Sequence, residues 1–275
     1  MTIENRRGRL PDQDAMGPTG LDAYKPARIL ELIEQAGIAK ARLPLLPLLT
    51  LGGLGGAFIS FGALFYLAVL TGADPSYGPI RLAAGAAFAL GLILVIVGGA
   101  ELFTGNALMV MAWVDRRIGA RDVLRNWVLV YAANLAGALV IAALVNAAGF
   151  DSGELARLAA RIAAQKIALP PQELLARAVL CNILVCLAVW LSYAARDAAG
   201  KVLVILPPIA AFVALGFEHS VANMFLLPLG LLGGAPITGG DIVRNLCWVT
   251  LGNLIGGGGG VALSYWAAYR SSRLA

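Results

Sequence analysis

Six long apolar runs, separated by short polar connections, divide the sequence. They cover residues 44–72, 83–114, 124–149, 174–195, 202–232 and 242–269. A helix that crosses a bilayer needs about 20 mostly apolar residues, so the runs predict six membrane segments. Hydrophobic residues make up 59% of the chain and charged residues only 13%. This balance leaves too little charge for the surface of a soluble enzyme, a nucleic-acid-binding module or a disordered chain.

The runs 83–114 and 202–232 are too long and too polar inside to be simple helices. Their internal polar residues are Glu101, Thr104, Asn106, Glu218, His219 and Asn223. Backbone outside a helix is tolerated at membrane depth only where protein or a water-filled cavity satisfies its polar groups. We therefore expect helices 2 and 5 to be interrupted, over residues 98–106 and 216–223.

A short pattern in the first half of the chain recurs in the second. Arg-Asn, then Asn-Leu, then Gly occur within residues 125–137 and again, with the same spacing, within 244–256. Three spans per half is an odd number, so the two halves must insert with opposite topology. Inverted repeats with broken helices are a recurring transporter design in which the site lies near the membrane midplane.

The distribution of positive charge predicts that both termini are cytoplasmic. Lys and Arg concentrate in the N-terminal tail and in the short 115–125 loop, whereas the 73–82 and 233–244 segments carry one Arg each. Cytoplasmic loops carry such an excess. The predicted domains are a cytoplasmic tail over 1–43, a multi-pass pore domain of the inner membrane over 44–270, and a cytoplasmic C-terminal tail over 271–275. Residues 27–42 within the first tail read as an amphipathic helix on the cytoplasmic face.

His219 is the only histidine in the chain. An ionisable residue inside a membrane segment is a functional-site hypothesis by default, and a neutral structural histidine is the alternative. We expect Glu101 and Glu218 to anchor the broken backbone, with a proton relay as the other possibility. The cysteines number three and lie in apolar runs, which favours buried apolar packing over a disulfide or zinc site; they are Cys181, Cys186 and Cys247. No cofactor and no metal are expected.

Three blocks of sequence resemble the formate/nitrite transporter family. They read ELFTGN at 101–106, LCNILVCLAVW at 180–190 and FVALGFEHSVANM at 212–224. The likeness extends over residues 22–270, apart from the 150–165 loop. It implies an aquaporin-like six-helix bundle, assembled as a homopentamer with one pore per protomer. Members of this family move small monovalent anions such as formate, nitrite, hydrosulfide or lactate.

The resemblance also implies roles for particular residues. The family's central histidine falls on His219, its loop threonine on Thr104, its helix 4 asparagine on Asn182 and its vestibule lysine on Lys166. The apolar constrictions fall on Phe88, Leu92, Leu102 and Phe212. Asn106 and Asn223 join Glu101 and Glu218 as anchors of the broken segments.

These observations predict transport of a small monovalent anion, with formate favoured and protons linked through His219. Lys166 would concentrate the anion at the outer mouth, and dehydration between apolar rings raises the pKa of a carboxylate. A passive anion channel, a nitrite, hydrosulfide or lactate transporter, and a neutral-solute channel remain as alternatives. An enzyme is not expected, because the chain has neither a His-Glu-x-x-His motif nor a Gly-x-Ser-x-Gly elbow. The expected partners are lipid, protons and further copies of the chain, with no nucleic acid.

Overall fold

The computed structural model describes residues 22–150 and 152–270, and all regular structure within these ranges is helical. We number the helices α1 Pro26–Ala41, α2 Leu45–Leu70, α3 Gly78–Gly98, α4 Gly105–Val114, α5 Ala120–Val145, α6 Gly153–Ala168, α7 Pro171–Ala194, α8 Ala198–Ala214, α9 Ser220–Leu232 and α10 Gly239–Tyr269. Within the described ranges, five helices are long and apolar enough to cross a membrane, namely α2, α3, α5, α7 and α10. The predicted C-terminal tail and most of the N-terminal tail before α1 lie outside these ranges.

Both predicted interruptions are present. The run 83–114 is divided between α3 and α4, and the run 202–232 between α8 and α9. Each break begins at a glycine with positive φ, Gly99 at 82° and Gly216 at 70°, a conformation that ends helices and that side chains other than glycine rarely adopt. The second break is shorter than predicted. Helix α9 already begins at Ser220, because His219 Nδ1 accepts a hydrogen bond from the Ala222 amide (3.0 Å) and caps the helix.

Helix α6 was not predicted. The prediction of a loop over residues 150–165 is wrong, because most of this segment is helical. Its buried residues recur at helical spacing and pack against α9; they are Ala156, Leu158, Ala159 and Ala163. Charged residues occupy its other face, so the segment is too short and too polar to register as a membrane run. This helix carries Lys166 in its last turn.

The helix predicted over residues 27–42 is confirmed by α1, which covers Pro26–Ala41. Its apolar residues Ile29, Leu30 and Ile33 are buried and belong to a cluster with residues of α4, α7 and α10. The apolar face of α1 therefore contacts the rest of the chain. Packing of this kind fixes the position of Lys40 near the end of the helix.

Small residues let the long helices approach closely, as membrane helix pairs commonly do. A Cβ added at Gly56 of α2 would lie 2.0 Å from the carbonyl oxygen of Asn134 in α5. A Cβ added at Gly256 of α10 would lie 2.2 Å from the carbonyl oxygen of Val179 in α7. The outward face of α2, in contrast, exposes large apolar side chains such as Phe65, which suits contact with lipid or a neighbouring subunit.

The cysteines divide into two kinds. Cys181 and Cys186 are buried, as predicted, but Cys247 is exposed and the prediction of burial is wrong there. Cys247 lies on an outward face of α10 with the exposed side chains Val243 and Leu251, one helical turn away on either side. An apolar run alone does not distinguish a face that points to the core from one that points to lipid.

Gly56→Ala should lower the thermal stability of the purified protein in detergent, because the new methyl group overlaps the α5 backbone and forces α2 and α5 apart. Overpacking of this kind costs about 1–3 kcal/mol. Gly53→Ala is the matched control, since a Cβ there meets no atom within 4 Å. Equal melting temperatures for the two variants would contradict this account of the α2–α5 contact.

Candidate functional site

The first break is held by the buried side chain of Asn134, which projects from α5. Its Nδ2 donates to the carbonyls of Gly52 (2.7 Å) and Glu101 (2.9 Å). Its Oδ1 accepts a hydrogen bond from the amide of Phe103 (2.9 Å). One side chain thus satisfies backbone groups that a continuous helix would have satisfied itself.

The second break is held in the same way by Asn253 of α10. Its Nδ2 donates to the carbonyls of Ala178 (2.8 Å) and Glu218 (3.0 Å), and its Oδ1 accepts from the amide of Ser220 (2.9 Å). The repeated sequence pattern contains both asparagines. Their role as clamps was not predicted, although that pattern was the signal that pointed to them.

Each break also contains a buried glutamate bound by a lysine and an asparagine. Glu101 Oε1 pairs with Lys40 Nζ (2.5 Å), and its Oε2 accepts from Asn106 Nδ2 (2.7 Å). Asn106 Nδ2 donates as well to Asn126 Oδ1 (2.8 Å). The Asn126 amide closes the ring by donating to the carbonyl of Lys40 (3.4 Å).

The second break repeats this ring. Glu218 Oε1 pairs with Lys166 Nζ (2.8 Å), and its Oε2 accepts from Asn223 Nδ2 (2.7 Å). Asn223 also donates to Asn245 Oδ1 (2.9 Å), and Asn245 donates to the carbonyl of Lys166 (3.4 Å).

The sequence placed the predicted anchors in the correct segments, but their carboxylates do not bind the broken backbone directly. They bind lysine and asparagine side chains instead. The pairing of Lys40 was missed, because its segment was predicted as an amphipathic helix on the cytoplasmic face, with no contact to the broken segments. It matches Lys166, since each lysine pairs with the glutamate of one break.

Thr104 and His219 meet between the two breaks. Thr104 Oγ1 lies 2.9 Å from His219 Nε2, and both side chains are buried. Thr104 does not cap α4 with its side chain, so the hydroxyl is directed to the imidazole. The ring of Phe212 stacks beside that of His219, with centroids 5.9 Å apart, and Phe88 packs edge-on against Phe212 at 5.5 Å.

Two small cavities adjoin this pair: one is lined by His219, and the other by Leu102 and Gly105, which flank Thr104 in the chain. The α6-side cavity, of about 60 Å³, is lined by Phe88, Lys166, Phe212 and His219 among others. The α1-side cavity, of about 50 Å³, is lined by residues that include Lys40, Leu92 and Leu102. The four residues expected at constrictions therefore form two pairs, one pair lining each cavity.

Asn182 is placed differently from the other expected pathway residues. Its Nδ2 donates to the carbonyls of Thr104 (3.2 Å) and Asn253 (2.6 Å). Like Thr104, it lines neither of the two small cavities, whereas Lys166 and His219 line the α6-side cavity. The structure thus places Asn182 behind Thr104, in contact with the backbone of the first break.

The sequence profile described as "Formate/nitrite transporter" matches residues 27–267, nearly the whole chain. The chain therefore belongs to the formate/nitrite transporter family. This is a family of channels and transporters, and the apolar helices of the chain agree with a multi-pass membrane protein.

Individual relatives support the same assignment. The chain is 43% identical to the uncharacterized transporter YrhG of Bacillus subtilis (strain 168) over 89% of its own length and 93% of the relative. It is 37% identical to the formate channel FocA of Escherichia coli (strain K12), over 90% and 95% of the two chains. A solved structure described as a pentameric formate channel with formate bound matches with a TM-score of 0.75 and 38% identity, covering 82% of this chain and 97% of that one.

Lys166→Met should destabilise the protein, because it leaves the Glu218 carboxylate buried without its cation. The loss of one partner from a buried pair costs about 3–5 kcal/mol. The double variant Lys166→Met with Glu218→Gln should recover much of this loss, since no lone charge remains. Denaturation in mixed micelles would measure the unfolding free energies.

The control is Arg157→Met, which breaks an exposed ion pair with Glu154 on the same helix. It should leave the unfolding free energy nearly unchanged. An additive double variant at 166 and 218 would contradict the coupling.

Proposed function

We propose that this protein carries small monovalent anions, formate foremost, across the membrane together with protons, along a path through the two small cavities and past Thr104 and His219. The observation that carries the proposal is the buried contact between Thr104 Oγ1 and His219 Nε2 at 2.9 Å. Two cavities lined mainly by apolar residues adjoin it, one at His219 and the other at the neighbours of Thr104. The resemblance to proteins described as formate channels supports formate as the substrate.

The hydrogen bonds of His219 define what the imidazole offers a solute. Nδ1 accepts from the Ala222 amide, so a neutral ring carries its proton on Nε2. That proton is donated to Thr104 Oγ1, which leaves the hydroxyl hydrogen of Thr104 available to an anion. An imidazolium would have to give up the bond from Ala222, since both of its nitrogens are donors.

The apolar residues around Thr104 and His219 make it costly for an anion to leave water and enter this region. Transfer of a bare carboxylate into such a region costs several kcal/mol even after relaxation. The Thr104 hydroxyl, whose oxygen is bound by His219, donates a hydrogen bond that replaces part of the lost hydration, and dehydration raises the pKa of the carboxylate. The anion therefore takes up a proton from the aqueous side on which it enters, and it passes His219 as a neutral acid.

The lysines of the two breaks lie where an anion approaches. Lys166 lines the same cavity as His219, and Lys40 lines the cavity on the other side. Because each is paired with a glutamate, its attraction for an anion is local rather than long-ranged. Asn182 acts in this scheme through Thr104, whose backbone it holds.

The proposal extends to assembly and placement. The structural relative is described as pentameric, and we infer a homopentamer with one path per protomer. The positive charge of the 115–125 loop favours an inner-membrane protein with both termini, and the α1 side, in the cytoplasm.

His219→Phe should reduce formate uptake at neutral pH by about 10- to 100-fold, because the Thr104 hydroxyl loses the partner that directs its hydrogen to the anion. A hydrogen bond to a charged group contributes about 1.5–3 kcal/mol. The residual uptake should rise about tenfold for each unit that the pH falls, since only the bulk neutral acid would then cross. Proteoliposomes with an internal pH dye would measure both quantities. His219→Asn, which retains an amide donor, is the matched variant and should lose less. An unchanged rate and pH profile in both variants would refute the role given to His219.

Thr104→Val should also slow formate uptake, whereas Thr104→Ser should preserve it, because only the serine retains a hydroxyl. The same assay run with nitrite and with glycerol compares substrate classes. Faster nitrite than formate movement would assign nitrite as the substrate. Glycerol uptake without proton uptake or anion competition would instead favour a neutral-solute channel.

A further inference from the structure

A third cavity, of about 340 Å³, lies beside the small α1-side cavity. We call it the α1-side vestibule; its polar lining includes Lys40, Glu101, Tyr193 and Lys201. It shares Lys40 and Tyr193 with the α1-side cavity, so the two spaces adjoin. Since a water molecule in the liquid occupies about 30 Å³, the vestibule has room for roughly ten waters. A small anion can therefore occupy it while it is still largely hydrated.

The charges that line the vestibule do not cancel. Lys40 and Glu101 form an ion pair at 2.5 Å. Lys201, the fourth residue of α8, makes no ion pair and no side-chain hydrogen bond with any residue in the described ranges, and it is only partly exposed. The vestibule lining thus has one surplus positive charge.

The α6-side cavity lacks this surplus. Its lysine, Lys166, is paired with Glu218. Arg81 is the fourth residue of α3, as Lys201 is of α8, and its guanidinium donates to the carbonyl of Ala214. The cation in the first turn of α3 is therefore held by backbone, whereas Lys201 in the first turn of α8 has no side-chain partner within residues 22–150 and 152–270.

Two further features of the vestibule lining bear on how Lys201 would attract an anion. The C-terminal end of α3, around Gly99, lines the vestibule, and the end of a helix contributes partial negative charge. Lys201 lies in the first turn of α8, and the amino end of that helix contributes an opposing partial positive charge. Without Lys201 the vestibule lining would therefore carry no net charge. The hydroxyl of Tyr193 has no hydrogen-bond partner among the described residues, which leaves a second donor in the same space.

We propose that the α1-side vestibule is an anion-holding site in which Lys201 supplies the uncompensated charge and Tyr193 a neutral hydrogen-bond donor. This proposal rests on the anion transport proposed above. The ligand class is a small monovalent oxyanion such as formate or nitrite. The site loads the path from the α1 side only, so the concentration dependence of uptake differs between the two sides of the membrane.

Lys201→Gln tests the site by uptake into membrane vesicles of known sidedness, with the α1 side assigned by protease access to an N-terminal tag. The half-saturating formate concentration should rise roughly threefold to tenfold for uptake from the α1 side and stay constant from the other side. Lys201→Arg should behave as wild type. The difference between Lys201→Gln and wild type should shrink when an impermeant salt is added, because added ions screen the charge. A purely structural role for Lys201 would not produce that salt dependence.

Arg81→Gln is the matched control and should leave the α1-side half-saturation unchanged, while Tyr193→Phe should raise it by a smaller factor than Lys201→Gln. An equal effect of Lys201→Gln on both sides, or none on either, would overturn the proposal. Titration of purified protein with carbon-13 formate by NMR gives a readout that does not depend on transport. If wild type moves neither formate nor nitrite, the proposed function fails, and binding that is retained in Lys201→Gln overturns the vestibule site as well.

Discussion

Two buried asparagines, Asn134 and Asn253, hold the backbone on which the rest of the structure depends. Each forms three hydrogen bonds to main-chain groups at a helix break and at the neighbouring long helix. An unsatisfied polar group in hydrocarbon costs several kcal/mol, so a broken helix in a membrane needs such a clamp. The clamps allow Thr104 and His219 to lie just before the first residues of α4 and α9, where the two side chains contact each other.

The ion pairs Lys40–Glu101 and Lys166–Glu218 also hold the two breaks in place. Each glutamate of a break is bound by one lysine and one asparagine, so its charge is balanced where water is scarce. A buried pair of this kind stabilises little against an apolar alternative. We interpret the pairs chiefly as fixing the register between the breaks and helices α1 and α6. On this interpretation α1 belongs to the same domain as the membrane helices. The predicted domain boundary after residue 43 would place Lys40 and its ion-pair partner Glu101 in different domains.

The length and internal polarity of the apolar runs 83–114 and 202–232 were sufficient to predict where these runs break. Glu and His are costly inside a single membrane helix unless other polar groups bind them. The repeated pattern marked Asn134 and Asn253 before their contacts were known. Helix α6 and the role of Lys40 could not be predicted in this way. Lys40 and Glu101 are 61 residues apart, and no local pattern connects them. The hydrogen bonds from Asn182 to backbone carbonyls could not be predicted either. An asparagine in an apolar run gives the same sequence pattern whether its amide faces a pore or the backbone of a neighbouring segment.

The two breaks share a framework but differ at the centre. In each, the asparagine follows the glutamate by five residues, yet Thr104 is three residues after Glu101 whereas His219 directly follows Glu218. The places that match His219 and Thr104 hold Leu102 and Val221. Leu102 faces the α1-side cavity and His219 the α6-side cavity. Two breaks with matching hydrogen bonds thus enclose an asymmetric centre, with imidazole at one cavity and leucine at the other. On the path proposed above, a solute would meet imidazole before leucine in one direction and leucine before imidazole in the other.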